Sequence, residues 1–301
     1  MSSKTIAQVH LADETRTSVV CDADTTCSDV VALVAEKLEL FSNVSDFALV
    51  EEGAQFTRLL SGEQKPMEIV NSWNKKNTGR LVMRRVYNMT PEAPIEDPAM
   101  KHLTFAQTRS DVVQSRLAVT SDVAVQLAAL YLFTVHGCHN PEVHAEGFLA
   151  KHIAEYVPEA LMKEKSVPEW EAAILAAHAA LDPATTEETA VDAYLATMKE
   201  LVHFGMTTFP ARYIRKGKAK IGDIVHVGVS AKGVAILTNP SMEVSGQYAF
   251  EQIYSWGASE TVFSMSTNEE EEGLQHVFES REASHIAALL QGYVGKILEN
   301  M

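Results

Sequence analysis

Residues Ser121 to Val135 read SDVAVQLAALYLFTV and run directly into His136-Gly137. Only Asp122, Gln126 and Thr134 are clearly polar inside this stretch, so apolar side chains point in every direction around a helix. Such a helix is predicted to be wrapped by protein on all sides. It is too short to span a bilayer, which needs roughly 20 apolar residues. Ser121 offers an N-cap hydroxyl and Gly137 a stop. A helix buried all round needs other helices about it, so the middle third of the chain reads as a helical bundle with attachments at both ends.

The 301 residues, 46% of them hydrophobic, suffice for two or three domains with proper cores. No signal peptide opens the sequence and no long apolar run crosses it. Cys21, Cys27 and Cys138 lie in unrelated contexts, which points to a reducing compartment rather than a disulfide framework. The formal net charge of −15 argues against a general nucleic-acid binder. Residues 89–205 carry 7 Lys+Arg against 17 Asp+Glu, residues 1–88 carry 10 against 12, and residues 206–301 carry 8 against 11. The acidity therefore sits in the helical middle.

Before that middle, Thr5 to Leu11 alternates with Ile6, Val9 and Leu11 as apolar anchors, and Thr17 to Cys21 returns as a second strand after the Asp13-Glu14 turn. DADTTCSD leads into a helix with Val30, Val31, Leu33, Val34, Leu38 and Leu40 at helical spacing. Phe47 to Glu51, Phe56 to Leu60 and Leu81 to Val86 read as further strands. Strand, strand, helix and more strands is a ubiquitin-like β-grasp, a lobe that packs or binds. TPEAPIEDP, Thr90 to Pro98, has three prolines and reads as an extended connection. Helices are predicted over Met100 to Val119, the central stretch, Glu146 to Tyr156, Pro168 to Leu181 and Glu187 to His203, with Thr185 and Glu188 at capping-box spacing.

After Gly205 the pattern changes to short strands bounded by turn residues. They are Phe209 to Ile214, Ile224 to Val229, Gly233 to Leu237, Met242 to Gly246, Ile253 to Gly257, Val262 to Thr267 and Leu274 to Glu279. GVSAKG, Gly228 to Gly233, is a hairpin turn and not a phosphate-binding loop. Glu269 to Glu272 is an acidic run that reads as a solvated loop. A helix closes the chain with Ile286, Leu289, Leu290, Tyr293, Val294, Ile297 and Leu298 on one face. Seven strands capped by one helix is the pattern of a PH/PTB-like sandwich. The expected segments are a ubiquitin-like lobe over 1–88, a helical bundle over 89–205 and a PH/PTB-like lobe over 206–301.

That order is the architecture of a FERM domain, and the whole chain resembles one. DPAMKHLTFAQTRSDVV (Asp97 to Val113) resembles the opening of a FERM helical lobe, whose bundle in this family is of the acyl-CoA-binding-protein type. FGMTTFPAR (Phe204 to Arg212) resembles the junction into its last lobe. Within the family the likeness is greatest to the talin head: in HNPEVHAEGFLAKHIAEYVP (His139 to Pro158), in the basic loop RKGKAKIGD (Arg215 to Asp223), in the fifth strand EQIYSWGASETVF (Glu251 to Phe263) and in the closing HIAALLQGYVGKIL (His285 to Leu298). The sequence departs from talin in holding a single ubiquitin-like lobe without the long basic insertion. Tyr254 and Ser255 stand where two basic residues are expected before Trp256, and Glu260 where Pro is expected. DPAMKHL also suits the FERM lobes of unconventional myosin tails, the second resemblance.

The talin resemblance implies a peptide groove along Ile253, Tyr254, Ser255, Trp256, Gly257, Ala258 and Ser259, with Leu290 of the closing helix. The peptide would be an Asn-Pro-x-Tyr-like cytoplasmic receptor tail, added as an extra strand. Strand alternation turns Tyr254 and Trp256 outward and Ile253, Ser255 and Gly257 inward. Arg212, Arg215, Lys216, Lys218 and Lys220 run without an acid until Asp223, and Lys163 with Lys165 extends the set if the lobes align. Near an anionic phosphoinositide surface each such charge contributes about 1 kcal/mol; the competing reading is protection of a sheet edge. His136, Cys138, His139 and His144 contain metal-ligand chemistry, but their loop position favours polar loop filling, and no metal or cofactor is expected. No catalytic constellation stands above chance. The resemblance implies a non-catalytic adaptor at the inner face of the plasma membrane, linked to actin through regions outside this chain. The alternative is a cargo-binding or autoinhibitory module of a myosin tail.

Overall fold

A computed structural model describes residues 4–54, 56–74, 78–91, 93–268 and 274–299. The chain divides into two compact units, Met1–Thr104 with Gly205–Met301 and Phe105–Phe204.

In the first unit, β1 (Thr5–His10) and β2 (Arg16–Cys21) form an antiparallel hairpin, and β1 also pairs in parallel with β5 (Gly79–Arg85). The sheet is completed by β3 (Phe47–Gly53) and β4 (Thr57–Leu59), in the order β2-β1-β5-β3-β4. α1 (Cys27–Lys37) starts from a reciprocal capping box between Thr26 and Asp29 and packs its Val30, Val31 and Val34 against the sheet. The strand period buries Ala7, Val9 and Leu11, so Ile6 faces solvent rather than acting as an anchor. A short α2 (Pro66–Ser72), absent from the sequence reading, follows Lys65; Pro66 at its first position supplies helical φ without a lost hydrogen bond.

The segment Thr90–Pro98 is tied to this lobe. One Asp97 carboxylate oxygen accepts from the backbone N–H groups of Phe41 and Ser42 and from the Ser42 hydroxyl, and the other accepts from Met100 N–H, which caps α3 (Pro98–Val113). Met100 and Leu103 then enter the core of the β-grasp lobe. The unit boundary consequently falls inside α3.

The remainder of the first unit is a seven-stranded sheet. Its strands are β6 (Thr207–Lys216), β7 (Ala219–Ser230), β8 (Gly233–Thr238), β9 (Val244–Tyr248), β10 (Ile253–Ala258), β11 (Val262–Thr267) and β12 (Leu274–Glu279), in the order β10-β11-β12-β6-β7-β8-β9. Within the GVSAKG stretch, Ala231 and Lys232 make the two-residue turn between β7 and β8, and Gly233 after it takes φ +114°. Glu269 to Glu272 lies outside the described residues. α7 (Ala283–Glu299) buries Ile286, Leu289, Leu290 and Tyr293 completely, while Leu298 at its end is exposed.

α7 also holds the two sheets of this unit together. Tyr293 Oη accepts from Asn88 N–H at 3.1 Å and lies 3.4 Å from the Val86 carbonyl. The Tyr87 ring meets the Tyr293 ring edge-on at 5.2 Å, and Lys296 Nζ sits 4.8 Å from the Tyr87 centroid. Val50, Leu59 and Val86 of the β-grasp lobe share one core with α7 and the seven-stranded sheet.

In the second unit α4 (Ser121–His136) packs against α5 (Val167–Ala179) and α6 (Glu187–Lys199). The cap of α4 is Thr120, not Ser121. Leu127 to Leu130, Leu132 and Phe133 are buried, but Asp122, Gln126 and Val135 are exposed, so the helix is covered on most of its surface and not on all sides. Three sequence expectations are corrected here. α3 ends at Val113, not Val119, because Ser115 turns left-handed (φ 57°) and the next two amides bond back to the Asp111 carbonyl. Residues 146–156 hold only a single 3-10 turn, Ile153–Glu155, among bends. The last helix is capped by Thr186 with Thr189, one residue beyond the predicted Thr185–Glu188 box.

Candidate functional site

β10 is an edge of the seven-stranded sheet and, among the described residues, pairs only with β11. From Ile253 to Ser259 the stretch carries no charge and no proline, two of the devices that keep an edge from pairing with another chain, although it does carry a third, a bulge at Tyr254. α7 packs against both β10 and β11. Pairing jumps from Ile253↔Thr267 to Ser255↔Ser266, which leaves Tyr254 as a bulged residue. The bulge reverses the alternation beyond it. Trp256 comes opposite the buried Met265 and packs, half-buried, on the shared core, while Ser255 and Gly257 turn outward. The predicted pair of outward aromatics is therefore reduced to Tyr254, which is 63% exposed. Ala258 and Ser259 are exposed, and Ile253 is buried. Leu290 is also corrected: it is wholly enclosed in the core beneath the strand and cannot line a groove surface.

The basic stretch is the tip of the β6–β7 hairpin rather than a loose loop. β6 ends at Lys216, Gly217 and Lys218 make the turn, and Lys220 lies on β7. Register shifts between Tyr213 and Arg215, where Ile221-Gly222 of β7 supply the extra residue and Gly222 takes φ +94°. Beyond that bulge Arg215 pairs directly with Lys220. Like charges opposite each other on a ladder are destabilising. Arg212, Arg215, Lys218 and Lys220 are exposed and Lys216 half-buried; Arg215 also donates to the Gln275 side chain. Ile221 and Ile224 stand among these cations, 37% and 57% exposed. Lys163 and Lys165 belong to the second unit. Lys163 is exposed, and Lys165 holds its ammonium 4.4 Å from the ring centroid of the buried Trp170, a cation–π contact.

The histidine-rich loop after α4 gains a residue that the sequence reading missed. His178, near the end of α5, joins His139 and His144, and the three rings offer ligand atoms all within 4.8 Å of one another. The signal was absent locally, because α5 reads as an alanine-rich helix and its histidine is distant from the loop in sequence. Burial, reinforced by the neighbouring imidazoles, lowers the pKa of both His144 and His178. Among the described residues no helix is long and apolar enough to cross a membrane.

Comparison with known proteins finds three family models along the chain. Residues 3–89 match an RA-like domain, residues 90–209 the FERM central domain and residues 211–298 a PTB domain of the IRS-1 type. These are the lobes of a FERM domain in order, and the chain belongs to that family. Its curated relatives include talins. It is 24% identical to Talin-A of Dictyostelium discoideum over 292 residues, 96% of this chain and 21% of that protein. It is 23% identical to a talin of Oscarella pearsei over 317 residues, 97% of this chain and 12% of that protein. The chain thus spans about a fifth or less of these relatives. Its fold is shared with the C-terminal MyTH4-FERM domain of human Myosin 7b, solved with the harmonin-a PDZ3 domain, at TM-score 0.78 and 20% identity over 98% of this chain and 61% of that one.

Proposed function

We propose that the chain is a non-catalytic adaptor that takes an extended partner peptide along β10 and docks the β6–β7 tip on anionic lipid. The observation that carries the peptide half is the uncharged, proline-free outer edge of β10 beside α7. Main-chain hydrogen bonds from such an edge supply affinity, and Tyr254 is the large side chain placed to grip a neighbouring strand. An Asn-Pro-x-Tyr-like receptor tail fits the talin relationship. In this reading residues 1–88, 89–205 and 206–301 act as three lobes, and a link to actin lies in regions outside this chain. The place of action is the cytoplasmic face of the membrane and the cytoskeleton beneath it. The fold shared with a myosin MyTH4-FERM domain solved with a PDZ partner favours the second reading, a cargo-binding or autoinhibitory module of a motor tail.

Titrating an isotope-labelled chain with an Asn-Pro-x-Tyr peptide is expected to shift the amide signals of Ile253 to Ser259 and of α7, with affinity near micromolar, about −8 kcal/mol. Tyr254→Ala is expected to weaken binding while leaving the melting temperature unchanged, because its side chain is largely in solvent. Shifts confined to residues 105–204 would overturn the β10 assignment and favour the motor-tail reading.

The lipid half rests on cations held where they repel one another, Arg215 against Lys220, beside exposed isoleucines. Co-sedimentation with vesicles containing phosphoinositide is expected, weakening with added salt. The triple replacement of Lys216, Lys218 and Lys220 by Gln is expected to abolish it. Equal sedimentation of both proteins would leave edge protection as the role of these residues.

A further inference from the structure

The three imidazoles of the second unit form a cluster that neither peptide nor lipid binding uses. His139 and His144 come from the loop after α4, and His178 from α5. The loop is held in place from α5 at two points. The Glu171 carboxylate accepts the N–H groups of Gly147 and Leu149, and His178 Nε2 bonds the Gly137 carbonyl at 2.9 Å. The second bond fixes a tautomer. With Nε2 donating its proton to Gly137, His178 Nδ1 keeps its lone pair, and that atom is buried with no hydrogen-bond partner. His139 Nδ1 is buried and unpartnered as well. Buried ring nitrogens are ordinarily satisfied, so two orphans in one cluster call for an explanation.

We propose that His139, His144 and His178 form a site for a borderline divalent metal ion of the Zn2+ class, which ties the loop after α4 to α5. Imidazole nitrogen suits this class of ion, and three histidines with one open position is a recurrent zinc arrangement. The His178 Nε2–H···O=C bond to Gly137 is the outer partner that orients a ligating histidine. Zinc–nitrogen bonds of about 2.0–2.1 Å place tetrahedral ligand atoms about 3.3 Å apart, so the cluster must contract from its present limit of 4.8 Å. His144 adjusts most. Its Nδ1 now accepts the Asn140 N–H at 3.0 Å, and to present a lone pair to the metal the ring either exchanges that amide for the ion or moves its proton to Nδ1. Asn140 N–H is released in both cases. His136 and the exposed Cys138 lie outside the set.

The test uses the full chain freed of metal by a chelator. Zn2+ titrated in competition with a chromophoric chelator is expected to bind at one equivalent, and Co2+ to give the visible bands of a tetrahedral site. In the imidazole nitrogen spectrum of the unmodified protein, three histidines are expected to shift on Zn2+ addition, together with the Asn140 amide. His139→Gln and His178→Gln are each expected to lower affinity by more than about tenfold. His152→Gln, an exposed histidine of the same unit, and Cys138→Ser are expected to leave it unchanged. Absence of saturable binding, shifts restricted to exposed histidines, or binding that is lost with Cys138→Ser would overturn the proposal. Because the imidazole spectrum needs no substitution, a misfolded variant does not blunt the test.

Discussion

Leu132→Asp is expected to unfold residues 105–204. Leu132 has no exposed surface and packs with Trp170, Ile174 and Leu149 in the core between α4, α5 and the intervening turns. The substitution removes that packing and leaves a carboxylate with no room for water. Together these effects cost about 4–5 kcal/mol or more, comparable with the whole stability of a domain of this size. Hydrogen-exchange protection in α4, α5 and α6 is the appropriate measurement. A soluble variant with unchanged exchange and melting would contradict the placement of α4 at the centre of the bundle. The exposed positions Gln126 and Val135 supply the contrast, since Asp at either is expected to be tolerated.

Gly292→Ala is expected to destabilise the first unit, against the rule for helix interiors. Alanine in place of a mid-helix glycine ordinarily stabilises by about 1 kcal/mol. Here a Cβ at position 292 would lie 2.0 Å from Tyr87 Oη and 2.6 Å from the ring carbon that bears it. Tyr87 is itself wedged against Tyr293 and under Lys296, so its ring cannot swing away without losing both contacts. The overlap is expected to outweigh the helix gain and lower stability by about 1–2 kcal/mol. Tyr87→Ala in the same chain should relieve it, so a double-mutant cycle will show strong coupling. A rise in melting temperature on Gly292→Ala alone would show that α7 does not seat as closely on Tyr87 as described.

The three-part fold was legible because its signals are local. Strand alternation, the helical spacing of Val30, Val31 and Val34 and the stripe from Ile286 to Tyr293 each lie within one element, and their order resembles that of one architecture. The features that failed depend on neighbours. Whether Trp256 faces out is decided by the Tyr254 bulge against β11, and alternation inside β10 carries no trace of it. Likewise α3 stops at Val113 because of a left-handed Ser115, a conformation that a serine does not advertise. The histidine cluster was half visible. His139 and His144 are near in sequence, whereas His178 enters only through the packing of α5. Leu290 shows the opposite error: the apolar stripe correctly placed it on the buried face of α7, and full burial removes it from any surface.

The seat of Tyr293 bears on the order in which the protein can be made. Its hydroxyl bonds residues that lie 205 and 207 positions earlier in the chain. The helices of the second unit are complete before α7 is synthesised, as is the β-grasp sheet. Until α7 arrives, Val50, Leu59 and Val86 have no cover from it, although they belong to the core that it closes. Closing so long a segment adds only slowly growing entropy, since each doubling of length costs about 0.6 kcal/mol, but it sets a late step in the sequence of events. A nascent chain halted before residue 283 therefore carries an apolar face on an otherwise folded lobe, a natural target for the chaperones that attend synthesis.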